Sequence, residues 1–492
     1  APAPAHVNAN VPANANVNVN VPVPGPLTVL PPPYPSAVSH PHDGGPMKTG
    51  ILLDHERAPE GNAHVVRALL RIEGEAPVAA ERVPLNLALV LDRSGSMNGA
   101  PLEQAKAAAA LLVRRLWPED VVSVVAYDDV VETIAEPATG AAQAQLARQI
   151  EAIDARGCTN LSGGWLRGRE LVARGRREGG ANRVLLLTDG LANVGITEPE
   201  RLVGLCRSAL DQGITTTTIG FGQGYDEELL REMAEAGGGS TYYIESPDQA
   251  PAVFTEEIEG LLSLCAQNVT VELRPARAAR LVLVHHAYPR HAIEGGVRLE
   301  LGDLYARDPR LVLAEFLVPT GDPAEDADVA ELTVTADVLT STGIERQEIH
   351  LPIRASLAAG PHVEPEVRRE LLLLEAAKAR EEARKAQQQG DLDGAARSLH
   401  EVAECIMPYA DDDACLAEEL LDLRLMEDRF GAGAADAADA KYLRQRSYAA
   451  ATSRPGNLRS ISRVRPHGGL PLPAPTEPLI APGPDTPAPD TP

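Results

Sequence analysis

The feature that most restricts the fold is an apolar run that ends on a carboxylate. Residues 85–91 read LNLALVL, stop at Asp92, and give way to hydroxyls at Ser94 and Ser96, with Pro101 soon after. A short apolar run bounded by turn signals reads as a buried strand. Proline in the first turn of the helix that follows costs little, because its missing N–H would have had no partner there. Asp92, Ser94 and Ser96 therefore fall at the carboxyl end of a strand, where open α/β sheets bind ligands. All three offer hard oxygen, which suits Mg²⁺, Mn²⁺ or Ca²⁺ rather than metals that seek thiolate or imidazole.

Two later segments extend the pattern. The stretch 157–164, GCTNLSGG, is a loop with a hydroxyl at Thr159 just before an apolar-periodic helix, and 183–190, RVLLLTDG, is a second buried strand ending on Asp189. Around them strands at 85–91, 121–127, 130–135, 183–188, 214–221 and 241–245 alternate with helices at 101–117, 142–154, 161–178, 198–212, 225–237 and 247–264. Such alternation implies a mainly parallel sheet with right-handed crossovers. Thr215–Thr218 with Ile219 is β-branched throughout, as a strand prefers.

Asp92-x-Ser94-x-Ser96, the downstream Thr159 and the strand-end Thr188-Asp189-Gly190 together resemble the metal-ion-dependent adhesion site of von Willebrand factor A (VWA) domains. The resemblance runs from roughly Val83 to Leu264 and is nearest to bacterial proteins of the Ca-activated chloride channel and inter-alpha-trypsin-inhibitor heavy-chain type. It implies an α/β doubly wound, Rossmann-like fold and a Mg²⁺ ion (or Mn²⁺/Ca²⁺) held by Asp92, Ser94, Ser96, Thr159 and Asp189. It also implies that the two aspartates act mostly through water, and that the last helix, 247–264, moves when the site is filled. Singly, each residue has an ordinary reading: Asp92 as a helix cap, Thr159 as a turn residue, Asp189 as the start of an Asp-Gly turn. Cys158 departs from the small residue expected beside Thr159, and the expectation is that it packs as an apolar filler. A thiol that makes binding redox-sensitive is the alternative.

The rest of the chain is organised around this domain. Residues 1–47 are Pro, Ala, Asn and Val with almost no charge, and 453–492 are again Pro-rich. Both are expected to be disordered tails, because such composition buries too little to offset its ordering entropy. A Pro-rich docking peptide at Pro31–Tyr34 is the alternative for the first. Strands near 50–54 and 64–73 precede the α/β domain; from Ala266 the pattern alternates strictly, at 268–273, 281–286, 297–301, 311–318, 331–338 and 347–353. That is the signature of a half-solvated antiparallel sandwich. The expectation is a discontinuous β-sandwich over 48–82 and 266–356 with the VWA domain of 83–264 inserted in it, since two lone upstream strands would leave bare edges. Residues 363–452 read as an α-helical hairpin or bundle, broken at Gly390–Gly394, with further helices near 412–429 and 434–450.

The chain has 492 residues, enough for about two to four domains. A formal net charge of −25 argues against nucleic acid and anionic membrane surfaces as partners. Five cysteines without a CxxC pair fit a reducing compartment. No apolar run approaches the roughly 20 residues needed to span a bilayer. The expected location is cytoplasmic.

Three lookalike motifs fail on inspection. Gly220–Gly224 lacks the third spaced glycine of a dinucleotide loop. His400–Glu404 lacks the second histidine of a zinc-protease helix. His285, His286 and His291 cluster locally, but adjacent residues on a strand face opposite ways, so a shared metal is not expected. The function expected is capture of an acidic residue of a protein partner through the metal site, with no enzymatic activity. The alternatives are a subunit of a chelatase- or hydrolase-like complex, and a scaffold with a vestigial site. Hydrolysis would need an acid or base near metal-bound water, and the sequence offers none beyond the ligands.

Overall fold

The computed structural model describes residues 47–452, except for 59–61, 76–83, 140–141, 177–179, 223, 245–252, 254–259, 261–262, 307, 321–325, 341–342 and 358–360. The Pro-rich tails and nearly all of the helix expected at 247–264 lie outside the described residues.

The described chain opens with β1 (Met47–Arg57) and β2 (Ala63–Gly74), an antiparallel pair. Then comes the α/β region: β3 (Leu85–Asp92), α1 (Ala100–Arg115), β4 (Val121–Tyr127), β5 (Val131–Thr139), α2 (Gln143–Glu151) and α3 (Leu161–Arg174). It continues with β6 (Ala181–Thr188), α4 (Pro199–Leu210), β7 (Ile214–Phe221), α5 (Glu227–Ala236) and β8 (Gly238–Ile244). These strands make one six-stranded sheet in the order β5-β4-β3-β6-β7-β8, parallel except for the edge strand β5. Every residue of β3, β4, β6 and β7 is buried, as expected of strands covered on both faces.

The period-two rule assigns those faces. Leu85, Leu87, Leu89 and Leu91 join α1 and α2 through Leu102, Ala105, Leu112 and Ile150. Ala88 and Val90 join α3, α4 and α5 through Trp165, Leu171, Leu202 and Met233. Each such buried Leu or Val contributes about 1.5–3 kcal/mol. Helix α3 lies close because it presents glycines: a Cβ on Gly164 would stand 2.5 Å from the Tyr127 ring, and one on Gly168 2.4 Å from Val90 Cγ2. The threonines of β7 are buried but satisfied; Trp165 Nε1 donates to Thr216 Oγ1 at 3.1 Å, and Thr218 Oγ1 donates to the Leu230 carbonyl at 2.9 Å.

The strand order reverses between β3 and β6. Connections from β3 run outward through β4 in one direction and from β6 through β7 in the other, so a crevice opens at their carboxyl ends. Asp92 closes β3 there, and Asp189 follows β6.

Downstream come β9 (Leu264–Pro275), β10 (Arg280–Val284), β11 (Arg290–Ile293), β12 (Gly296–Tyr305), β13 (Arg310–Pro319), β14 (Ala327–Thr340) and β15 (Gly343–Ala355). They form, with β1 and β2, two antiparallel sheets ordered β1-β2-β13-β10 and β11-β12-β9-β14-β15. Val66, Leu70, Val312 and Phe316 from the first share one apolar cluster with Val271, Leu299, Val334 and Ile353 from the second. β13 pairs with β2 along the whole of β13, from Pro319 opposite Ala63 to Arg310 opposite Ile72. β11 was not expected from the sequence. It is short and polar, and it pairs with β12 through a turn whose Gly295 has φ 73°, so the hairpin rather than side-chain pattern makes it a strand. The buried Arg183 of β6 joins the regions: it forms an ion pair with Asp303 and hydrogen bonds to Tyr305 Oη at 3.1 Å and Thr215 Oγ1 at 2.9 Å.

Four helices follow: α6 (Pro365–Gln388), α7 (Leu392–Ile406), α8 (Ala414–Gly431) and α9 (Ala437–Ala451). The break at Gly390–Gly394 is real, and Asp391 caps α7 by accepting from Gly394 N at 2.8 Å. Asp413 caps α8 in the same way. Inside, buried Arg380 and Arg446 face Glu419 and Asp422. Lys441 of α9 reaches Glu227 of α5 at 2.8 Å, and its Nζ stands 5.0 Å from the Tyr225 ring centroid. Among the described residues no helix is long and apolar enough to cross a membrane.

Candidate functional site

The crevice between β3 and β6 collects the five oxygen-bearing side chains singled out above. Asp92 is fully buried. Its Oδ1 accepts the Ser94 N–H at 2.8 Å and its Oδ2 accepts the Thr188 hydroxyl at 2.6 Å. The Ser94 and Ser96 hydroxyls lie 3.1 Å apart, and Ser96 Oγ donates to Asp189 Oδ1 at 2.7 Å. A continuous chain of polar contacts thus runs Asp92–Ser94–Ser96–Asp189 across two strand ends distant in sequence.

Thr159 enters from the third loop. It is buried, and its Oγ1 lies 2.9 Å from where a Cβ on Gly190 would be, so a side chain larger than hydrogen at 190 would collide with it. Its carbonyl accepts the N–H groups of Asn193 and Val194 at 3.1 and 3.2 Å, which fastens the loop after Asp189 over it. The neighbouring Asn160 caps α3 through Gly163 N at 2.9 Å. Ser96 is exposed and Asp189 half-buried, so the cluster opens to solvent on that side.

Burial pushes the Asp92 carboxyl up to about 6, against the lowering effect of its hydrogen bonds from Thr188 and Ser94; the charge of Asp189 adds to the rise. Burial also raises Asp189, and it raises the Tyr127 hydroxyl, next to Asp92, well above its ordinary value. Two carboxylates therefore share a partly desolvated crevice, and among the described residues neither is ion-paired with a Lys or Arg. Among those residues no group of three or more His, Cys, Asp or Glu is arranged to hold a metal. The donor set in the crevice is of another composition, two carboxylates and three hydroxyls. It is all hard oxygen, of the kind Mg²⁺, Mn²⁺ and Ca²⁺ prefer.

Residues 86–256 match the family model described as the von Willebrand factor type A domain. The chain carries a VWA domain. It is 28% identical over 368 residues to the uncharacterized protein sll0103 of Synechocystis sp., an alignment covering 72% of this chain and 86% of that one. It is 31% identical over 202 residues to the uncharacterized protein YfbK of Escherichia coli, and 28% identical over 268 to inter-alpha-trypsin inhibitor heavy chain H3 of Homo sapiens. Those two alignments cover 40% and 52% of this chain but only 35% and 29% of the relatives. Among solved structures, a von Willebrand factor type A protein from Catenulispora acidiphila shares the fold, with TM-score 0.60 and 17% identity over 83% of this chain and 92% of that one. VWA domains are generally metal-dependent protein-interaction modules, and they are mostly non-enzymatic.

Sequence reasoning missed several supports of the VWA crevice. Thr188 was seen only as part of Thr-Asp-Gly, yet its hydroxyl orients Asp92. Arg93, Asp128 and Arg156 also escape it; the signal available was that Asp128 directly follows β4, whose last residue Tyr127 pairs with Asp92, at the same edge of the sheet. Cys158 corrects an expectation. It is exposed rather than packed as a filler, and its backbone N–H donates to Asp129 Oδ1 at 3.4 Å.

Proposed function

We propose that this VWA domain captures an acidic side chain of a protein partner through a divalent cation, Mg²⁺ or alternatively Mn²⁺ or Ca²⁺, held by Asp92, Ser94, Ser96, Thr159 and Asp189. The observation that carries the reading is the Ser96–Asp189 hydrogen bond of 2.7 Å, which ties the β3 and β6 ends into one oxygen-lined crevice. A bound cation supplies an electrophilic centre with an open coordination position. Ser94, Ser96 and Thr159 contribute neutral oxygens, which leave most of its charge uncancelled. Asp92 is held by Ser94 N–H and the Thr188 hydroxyl, so its carboxylate is oriented before any ion arrives. A partner carboxylate then adds a charge-assisted contact of the strong kind.

In this reading β1 and β2 with β9–β15 form one discontinuous β-sandwich (48–82 and 266–356). The VWA domain (83–264) is inserted in it, and the helices of 363–452 pack beside both. The test is capture of partners from a lysate with and without EDTA, for the wild type and Asp92→Ala, alongside calorimetric titration with MgCl₂ and MnCl₂. Metal-dependent partners that Asp92→Ala loses support the reading. Partner sets that ignore both EDTA and Asp92→Ala overturn it, as does turnover of a phosphate ester or peptide that depends on Asp189.

A further inference from the structure

We propose that Asp128, whose carboxylate bonds to Arg93, Arg156 and Val130 rather than to the five oxygen donors, is a positioning residue that sets the spacing between the two hydroxyl-bearing loops of the crevice; this rests on the cation reading above. The two loops, 92–99 with Ser94 and Ser96 and 152–160 with Thr159, come from separate parts of the chain. Nothing in their local sequence fixes the distance between them. A hard cation tolerates little error in that distance, since its bonds to oxygen lie within roughly 2.0–2.6 Å.

Asp128 is fully buried at the end of β4, beside the end of β3. Its Oδ2 accepts from Nε of Arg93 at 3.0 Å and from Nε of Arg156 at 2.6 Å, while Oδ1 accepts the Val130 N–H at 2.6 Å. Its main-chain carbonyl accepts the Asn160 N–H at 2.9 Å. One residue therefore grips Arg93, between Asp92 and Ser94, and both ends of the Thr159 loop, at Arg156 and Asn160. The loops are also stitched to each other: Arg156 N donates to the Arg93 carbonyl at 2.7 Å, and Gly95 N to the Gly157 carbonyl at 3.1 Å. Gly157, at φ 68°, runs so close that a Cβ there would fall 1.9 Å from Asp129 Oδ1 and 3.0 Å from Asp128 Cβ.

Charge gives Asp128 a second task. Arg93 is a buried guanidinium one residue from Asp92, and it could itself neutralise the crevice carboxylates. Asp128 holds it away, and Glu132 completes a balanced quartet, 2.9 Å from Arg93 Nη2 and 3.2 Å from Arg156 Nη2. Burial alone would push the Asp128 carboxyl up, but the Val130 N–H and the two guanidiniums outweigh it and hold it below its ordinary value. It therefore stays ionised to keep that grip.

The experiment is calorimetric titration of the full chain with MnCl₂, comparing wild type, Asp128→Asn, Arg156→Gln and Val334→Ala. Removing a group that orients ligands typically lowers metal affinity about 10–100-fold. That loss is expected for Asp128→Asn, with a loss of several-fold for Arg156→Gln, whose half-exposed side chain can be removed without unfolding the domain. Val334→Ala lies in the distant antiparallel sheets and lowers stability without touching the loops, so it keeps wild-type affinity. Arg156→Gln, or a folded Asp128→Asn, binding Mn²⁺ within twofold of wild type overturns the inference and leaves the cation reading standing. Weakening by Val334→Ala comparable to that of Asp128→Asn overturns it too, since general destabilisation then accounts for the effect. Wild type that takes up no Mn²⁺ removes both.

Discussion

Replacing Asp92 with asparagine should remove cation binding and at the same time stabilise the cation-free protein. The Asp92 carboxyl is raised from 3.8 to about 6, chiefly by burial. Keeping it ionised in the fold near pH 7 costs about 3 kcal/mol, at about 1.4 kcal/mol per tenfold change in the proton equilibrium. Because the folded value is the higher one, the penalty is complete above about pH 6 and fades as pH falls towards 3.8; near pH 4.5 only about 1 kcal/mol is left. Asparagine keeps an acceptor for the Ser94 N–H. Its amide can donate to Thr188 Oγ1, whose own hydrogen turns to the Gly190 carbonyl 3.5 Å away. The weakened hydrogen bonds cost about 1 kcal/mol. The expected net gain for Asp92→Asn is therefore about 2 kcal/mol near pH 7 and close to none near pH 4.5. Urea unfolding in EDTA at both pH values measures it; adding Mg²⁺ should then stabilise the wild type alone. An Asp92→Asn protein less stable than wild type in EDTA near pH 7, or a gain that does not shrink in acid, refutes the reasoning.

Gly164→Val should force α3 off the sheet, since even a Cβ meets the buried Tyr127 ring at 2.5 Å; a loss of about 1–3 kcal/mol or more is expected by urea unfolding, with Thr159 displaced as well. Arg380→Met leaves Glu419 and Asp422 buried opposite one cation fewer, and a loss of about 3–5 kcal/mol is expected by thermal melting. Burial raises the Asp422 carboxyl, but Arg380 and Arg446 outweigh it and hold it below 3.8. With the folded value depressed, its stabilisation is present above about pH 4 and lost as pH falls further, so the helical region should melt earlier in strong acid, read by far-UV circular dichroism. Lys441→Glu should loosen α9 from α5 and expose the 432–436 connection to limited proteolysis. Adding Glu227→Lys should restore protection in part, because the pair stands 2.8 Å apart and is largely shielded from solvent, while Arg444, 3.8 Å from Glu227, opposes the new lysine.

Element positions were readable where the pattern was long and apolar. β3, β4 and β7 begin and end within a residue of where Leu85, Val121 and Ile214 and their terminating residues put them, because strands buried on both faces leave no ambiguity of side. The polar, four-residue β11 was not readable, since its pairing comes from β12. In the crevice, each donor announced itself by sitting just after an apolar run or in the turn before a helix. The groups that hold the donors did not. Asp128, Arg93, Arg156 and Thr188 are ordinary residues in sequence, and their importance lies in contacts made across strands.

The sequence by itself determined which residues are strand, helix or turn around Asp92, Thr159 and Asp189, because hydrophobic period and turn chemistry are local properties. Only the tertiary structure decided that β6 lies against β3, which brings Asp189 to Ser96. It alone decided that β2 finds β13 some 240 residues later, as a bare sheet edge must be paired with whatever strand the fold delivers. Pairing and burial depend on the whole chain closing on itself, and no window of sequence contains that information.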